Sequence, residues 1–230
     1  MVLRLLCVLV LLMTSQAQAQ EYDFDLIIPL NPENFGDSTE QLEGPTGQVI
    51  AKVLRHSEPP ISYRYSSPTH GYGAFFKGKY ACVTPDAAVY HDPEKGYIES
   101  LPIHDTHWVA VYHKDTPKIL QKNDLLGKTV GLIYRQHTMG DVIPQVGAKY
   151  EFQPDIKINL KKLVRKRMDA LVVPLLGLDT ALATDPSFSQ LSYTSTPPLA
   201  TIPDRIMCHD TKRGREVIEI VNKVIPKVTK

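Results

Sequence analysis

An apolar strand, HWVAVYH (107–113), is followed by a polar connection and then by a second apolar start, DLLGKTVGLI (124–133). That restart constrains the fold more than any other feature, because the strand and helix pattern that precedes it begins again after it. Before it, DFDLIIPL (23–30) reads as a buried strand, and GQVIAKVLRH (47–56) places Val49, Ile50, Val53 and Leu54 at helical spacing. ISYRYSS (61–67) then returns to a β-prone alternation, PTHGYGAFFKGKY (68–80) reads as a short helix, and YACVTPDAAV (80–89) as a strand with a turn at Thr84-Pro85-Asp86. After it, INLKKLVRKRMDALVVPLLG (158–177) repeats the order of basic helix end, turn, and apolar strand ending at a proline.

Alternating strands and helices of this length argue for an α/β chain with mostly parallel sheets. Two such sets joined by an extended crossing argue for two lobes rather than one continuous sheet. A second crossing is expected at PDRIMCHD (203–210), after which Val217, Ile220, Val221 and Val224 have helical spacing and should pack back on the first set. The expected lobes are residues 22–113 plus 204–230, and residues 114–203.

The first nineteen residues have the composition of a secretory signal peptide. Arg4 supplies a basic start, Leu5 to Met13 a short apolar run, and Ala17-Gln18-Ala19 a small-residue cleavage site. No later stretch approaches the ~20 apolar residues of a membrane helix, so the expectation is an exported, soluble, periplasmic protein. In an oxidising compartment Cys82 and Cys208, the two cysteines outside this segment, could form one disulfide or stay as two thiols.

Charge is nearly balanced, with 26 Lys and Arg against 25 Asp and Glu, which does not favour nucleic acid or an acidic membrane. The dense basic run KINLKKLVRKR (157–167) reads as a solvated helix face, with docking to a membrane partner as the rival reading. There is no G-x-S-x-G elbow, no phosphate-binding G-x-x-x-x-G-K-[ST] loop and no G-x-G-x-x-G after the first strand. Glu33, Asp37, Glu40 and Glu43 read as a solvated acidic loop rather than a catalytic pair. His104, Asp105 and His107 could ligate a divalent ion only if a turn brought them together. Neither an enzyme nor a metal or cofactor site is expected.

Four segments in order carry a resemblance to a known family. They are Gly78-Lys79-Tyr80-Ala81 before a strand, Ser100-Leu101-Pro102-Ile103 before the crossing strand Trp108 to Tyr112, Asp124 to Gly131 opening the second set, and Arg167 to Val172 before a later strand. In these the chain resembles the periplasmic solute-binding proteins of the type II fold, in particular the family-3 extracellular solute-binding proteins of amino-acid-type ABC importers. The resemblance spans nearly all of the chain after residue 19. It implies two lobes, a two-strand hinge, and a monomer that closes over a small solute for delivery to an inner-membrane permease or for presentation to a membrane sensor.

Ligands in such folds sit beyond the carboxyl ends of the strands. On that basis the resemblance points to Asn31, Tyr72, Thr84, Asp86, Lys95 and Tyr97 in the first lobe, and to Arg135, His137 and Thr138 in the second. Arg135 to Thr138 lie at a strand-to-helix transition, where free N–H groups favour an anion. The chain departs from the family's amino-acid binders in two places. YHDPEKGYIESLPI contains no arginine for a ligand carboxylate, and Pro174 stands where an acid would meet an ammonium. Those departures argue against an ordinary α-amino acid and for another small polar or anionic solute.

Overall fold

The computed structural model describes residues 22, 24–30, 42, 44–133, 147–153 and 155–229. Ten strands are arranged in the order β2-β1-β3-β10-β5-β8-β6-β7, with β4 beside β10 and β9 beside β5. The first half comprises β1 (Leu26–Pro29), β2 (Tyr63–Ser66), β3 (Cys82–Asp86) and β4 (Tyr97–Glu99), with helices α1 (Gly44–Arg55) and α2 (Pro68–Phe76). The second comprises β6 (Thr129–Leu132), β7 (Lys149–Phe152), β8 (Ala170–Pro174) and β9 (Leu191–Tyr193), with α3 (Ile156–Val164) and α4 (Leu178–Leu182). Two ten-residue strands, β5 (His104–His113) and β10 (Ala200–His209), run between the halves, and α5 (Lys212–Val228) returns to the first.

Within each half the central pairings are parallel, β2-β1-β3 in one and β7-β6-β8 in the other. Each half is completed by an antiparallel crossing strand. β10 pairs with β3 and β4, and β5 pairs with β8 and β9. The two crossing strands pair with each other from Ala200↔Trp108 to Asp204↔His104, and this ribbon joins the halves.

Local sequence explains the elements that hold the site in place. β1 is buried on both faces, as the run Leu26-Ile27-Ile28 requires of a central parallel strand. One face rests on α1 and α5 through Ile50, Val53, Val217 and Val221, and the other on α2 through Phe75. Lys52 and Arg55 lie in the last turn of α1, where positive charge complements the helix dipole. Thr211 caps α5 by accepting from Gly214 N, and Asp155 caps α3 by accepting from Lys157 N and Ile158 N. Leu160 and Leu163 turn inward from α3, which leaves its lysines outside.

The first half carries two long-range clamps. Cys82 and Cys208 occupy paired positions on β3 and β10 and are joined by a disulfide. Arg213, in the first turn of α5, donates from Nε and Nη2 to the two carboxylate oxygens of Asp25 at 2.6 and 2.8 Å. Asp25 also accepts from Ser62 N and Ser62 Oγ.

Boundaries differ from the sequence reading where backbone pairing outweighs composition. Polar HDT at 104–106 belongs to β5, because β10 supplies its ladder. Tyr97 belongs to β4 rather than to a loop. Two strands that the apolar pattern did not reveal, β7 and β9, are short and only partly buried.

Candidate functional site

The parallel strands end at Pro29, Ser66 and Asp86 in the first half and at Leu132, Phe152 and Pro174 in the second. Polar groups gather at the end of β3. Asp86 is buried, its Oδ1 accepts from Ala87 N at 2.8 Å, and both of its oxygens lie 2.9 Å from His91 Nε2. The Tyr72 hydroxyl, projecting from α2, donates to the carbonyl of Pro85. Phe76 stands between these groups, stacked on Tyr72 and edge-on to His91, and Tyr97 closes the cluster with its ring 5.8 Å from that of His91. Burial pushes the Tyr97 hydroxyl up, with Asp86 and Asp92 adding to the effect, so it stays a neutral donor.

Of the candidates read from sequence, Tyr72, Asp86 and Tyr97 are therefore brought into one cluster. Thr84 is fully buried and donates to the carbonyl of Arg205, bracing the crossing strand. Lys95 is exposed on a 3-10 helix, Pro93–Lys95, with no hydrogen bond or ring contact to the cluster among the described residues. Asn31, Arg135, His137 and Thr138 lie outside the described residues.

The ribbon supplies a second set of groups. Period-2 alternation puts Ile202 and Asp204 on one face and Thr201, Pro203 and Arg205 on the other. Asp204 is buried and accepts from the Thr106 hydroxyl at 2.6 Å. Burial pushes its carboxyl up to about 7, and nearby Asp86 and Asp105 push the same way. Trp108, on the same face, donates from Nε1 to the Tyr90 hydroxyl at 2.9 Å, so the 3-10 helix after β3 is docked on the crossing strand. Beside β10 a recess of about 540 Å³ is bounded by Ala87, Val89 and Glu99 of the first half, by Lys122 of the second, and by Ala200 to Pro203 and Arg205 of β10.

His104 and His107 sit three apart on one continuous strand, and His107 Nδ1 pairs with the Thr201 hydroxyl. Among the described residues no group of three His, Cys, Asp or Glu side chains is placed to hold a metal ion. None of their helices is long and apolar enough to cross a membrane.

His91, Glu99, Asp204 and Arg205 were not singled out from sequence. The five-residue spacing of Asp86 and His91 is the one trace of their pairing, and it has no meaning until the strand end turns back into a 3-10 helix.

No family model matches the chain, and no curated protein matches it. Solved structures match over most of its length. The GluR0 ligand-binding core in complex with L-glutamate aligns with a TM-score of 0.67 at 16% identity, covering 91% of this chain and 93% of that one. Holo ArgBP from T. maritima aligns with a TM-score of 0.63 at 20% identity, covering 90% of each chain. A structure solved for glutathione import via GshT and the cystine ABC importer TcyBC of Streptococcus mutans aligns with a TM-score of 0.64 at 15% identity, covering 90% of this chain and 89% of that one. The chain thus has the two-lobed α/β fold of these binding proteins.

Proposed function

We propose that the protein is an exported solute-binding protein that captures a small solute between its halves by hinge closure. The observation that supports this best is the topology: two parallel sheets open their strand ends beside one antiparallel ribbon, β5 with β10, through which the chain passes from one half to the other and back. A solute that touches both halves binds the closed state better than the open one, and that difference in affinity shifts the population. Tyr72, Asp86 with His91, and Tyr97 form the first-half wall of the site. Arg135, His137 and Thr138 are assigned to the opposite wall.

The closed shape is then read by an inner-membrane ABC permease, the role for which the likeness to importer-associated structures speaks. Presentation of the solute to a membrane-bound sensor is the second reading, favoured by the likeness to a ligand-binding core. The protein works as a monomer in the periplasm and performs no chemistry on its solute.

Native mass spectrometry of the protein purified without refolding tests the capture. One intact low-mass compound is expected, and adding it back to stripped protein should raise the melting temperature with concentration, as linkage requires. Turnover of that compound, or a broad solute panel that stabilises nothing, would overturn the proposal.

A further inference from the structure

The near-balance of charge over the whole chain hides an uneven distribution. Helix α3 and the turn after it carry Lys157, Lys161, Lys162, Arg165, Lys166 and Arg167, and the helix itself contains no acid. Leu160 and Leu163 point into the core. A turn of about 100° per residue then sets Lys157, Ile158, Lys161 and Arg165 on the outer face, and all four are exposed.

The acids close to this face are already engaged. Asp155 caps the helix through Lys157 N and Ile158 N, Glu151 lies between Lys149 and Lys162 at 3.6 and 3.5 Å, and Asp115 pairs with Lys166 at 3.4 Å. Asp185 accepts from Ser187 Oγ and Ser187 N, which together with the nearby charge of Lys161 hold its carboxyl below the usual range. Lys157, Lys161, Arg165 and Arg167 make no side-chain hydrogen bond or ion pair among the described residues.

This pattern works against the helix. Like charges four residues apart repel, and Lys157 with Lys161 and Lys161 with Arg165 are two such pairs. Lys157 also lies in the first turn, at the positive end of the helix dipole. Helix α5 shows the stabilising alternative, since Arg213 there pairs with Glu216 and Lys223 with Glu219. Local stability does not account for the basic stripe of α3, and a partner of opposite charge does.

That partner must offer negative charge over an area, because the stripe extends along about 12 Å of helix. It must also accept an apolar side chain, because Ile158 is exposed among the cations. A bilayer of anionic lipids meets both demands: its phosphates repeat laterally, and an isoleucine can sink below them beside the lysine stems.

We propose that the outer face of α3 rests on an anionic membrane surface, its cations at the lipid phosphates and Ile158 at the boundary with the acyl chains. Each cation contributes about fivefold to partitioning, and one isoleucine is far from an anchor, so the contact is reversible. It keeps the protein beside a membrane without fixing it there.

Sedimentation of the full chain with phosphatidylcholine vesicles, with and without phosphatidylglycerol, tests this. Binding should be tighter and saturable where phosphatidylglycerol is present, and should fall as salt is added. The combined variant Lys157→Gln, Lys161→Gln, Arg165→Gln should lose about a hundredfold in binding. Lys52→Gln, Lys212→Gln, Lys227→Gln removes the same charge from the first half and should lose less than about fivefold. All six side chains are exposed, so both variants should fold. The apolar segment before residue 20 is the same in every variant, so any binding of its own cancels in the comparison. Equal losses in the two variants, or binding as tight to pure phosphatidylcholine, would overturn the proposal. Soluble polyglutamate bound as tightly as the vesicles would point to an acidic protein partner and overturn it too. None of these readouts involves the captured solute, so this proposal and solute capture can fail separately.

Discussion

The first half and the crossing ribbon are built from the same kinds of residue but held in opposite ways. In the first half, buried Asp25 faces a guanidinium, two Ser62 donors and a disulfide-locked sheet. Burial alone would raise the Asp25 carboxyl, but Arg213 and Ser62 outweigh it and hold it below the usual carboxylate range. On the ribbon, buried Asp204 has a hydroxyl partner and two acids nearby, and no cation among the partners that shift it. One acid is satisfied as an anion, and the other is stable when neutral. The contrast separates an acid that the first half holds as an anion from one on the ribbon that burial favours as the neutral form.

Removing the clamps breaks the comparison from the fixed side, and the largest effect should come from the disulfide. Replacing Cys82 and Cys208 together frees a loop of 126 residues' separation, which should lower unfolding stability by about 4 kcal/mol. Urea midpoints of the wild type and the double variant check this, and equal midpoints would show that the bond does not constrain the unfolded chain. Arg213→Met comes next. It leaves Asp25 buried without its cation, at a cost of about 3 kcal/mol, somewhat below that of a fully buried pair because Arg213 is partly exposed. Acid should erase the difference, because the Asp25 carboxyl is depressed in the folded state and its contribution is lost as pH falls through that depressed value. A loss that persists unchanged in acid would mean that Arg213 acts by packing rather than charge.

Asp204→Asn sharpens the comparison from the other side. The Asp204 carboxyl is raised in the folded state, from 3.8 to about 7, so its favourable, protonated form is lost to folding as pH rises between those values. A shift of that size sets an upper limit of roughly 4 kcal/mol. We expect about half of it as a gain for the asparagine variant near pH 8, and none near pH 4, since local relaxation relieves part of the strain. Denaturation at the two pH values measures it, and a variant equally destabilised at both would place Asp204 with the structural acids.

Legibility in the sequence divides along the same line. The strands and helices of the fixed half announce themselves, because burial on two faces demands the continuous run LIIP and helical spacing of valines and isoleucines. The restart at Asp124 to Ile133 announces the second half. The joint announces itself only in part, through the crossings expected at 107–113 and 203–210. HDT at 104–106 and ATI at 200–202 extend those strands because each crossing strand supplies the other's ladder. The pairings of Asp86 with His91 and of Glu99 with Ala88 N arise where the chain turns back after β3, so local residue type gives no sign of them. Asp204 falls in the expected crossing PDRIMCHD, but nothing in its neighbours reveals that Thr106, 98 residues away, sits beside it.

Tyr90 carries the smallest predicted effect and the most direct reading of the joint. Its hydroxyl accepts from Trp108 Nε1, tying the segment after β3 to the crossing strand, and both side chains are buried. Tyr90→Phe keeps the ring and its edge contact with Trp108 but leaves the indole N–H without that partner. A buried unsatisfied donor of this kind costs about 1 kcal/mol or slightly more. Because Trp108 is the chain's single tryptophan, its fluorescence reports on the joint without any label. We expect a lower urea midpoint with unchanged slope, together with an emission maximum shifted to the red as water reaches the indole. A lower midpoint with unshifted emission would place the loss in the first half, and the ribbon would then be as firmly held as the sheet it leaves.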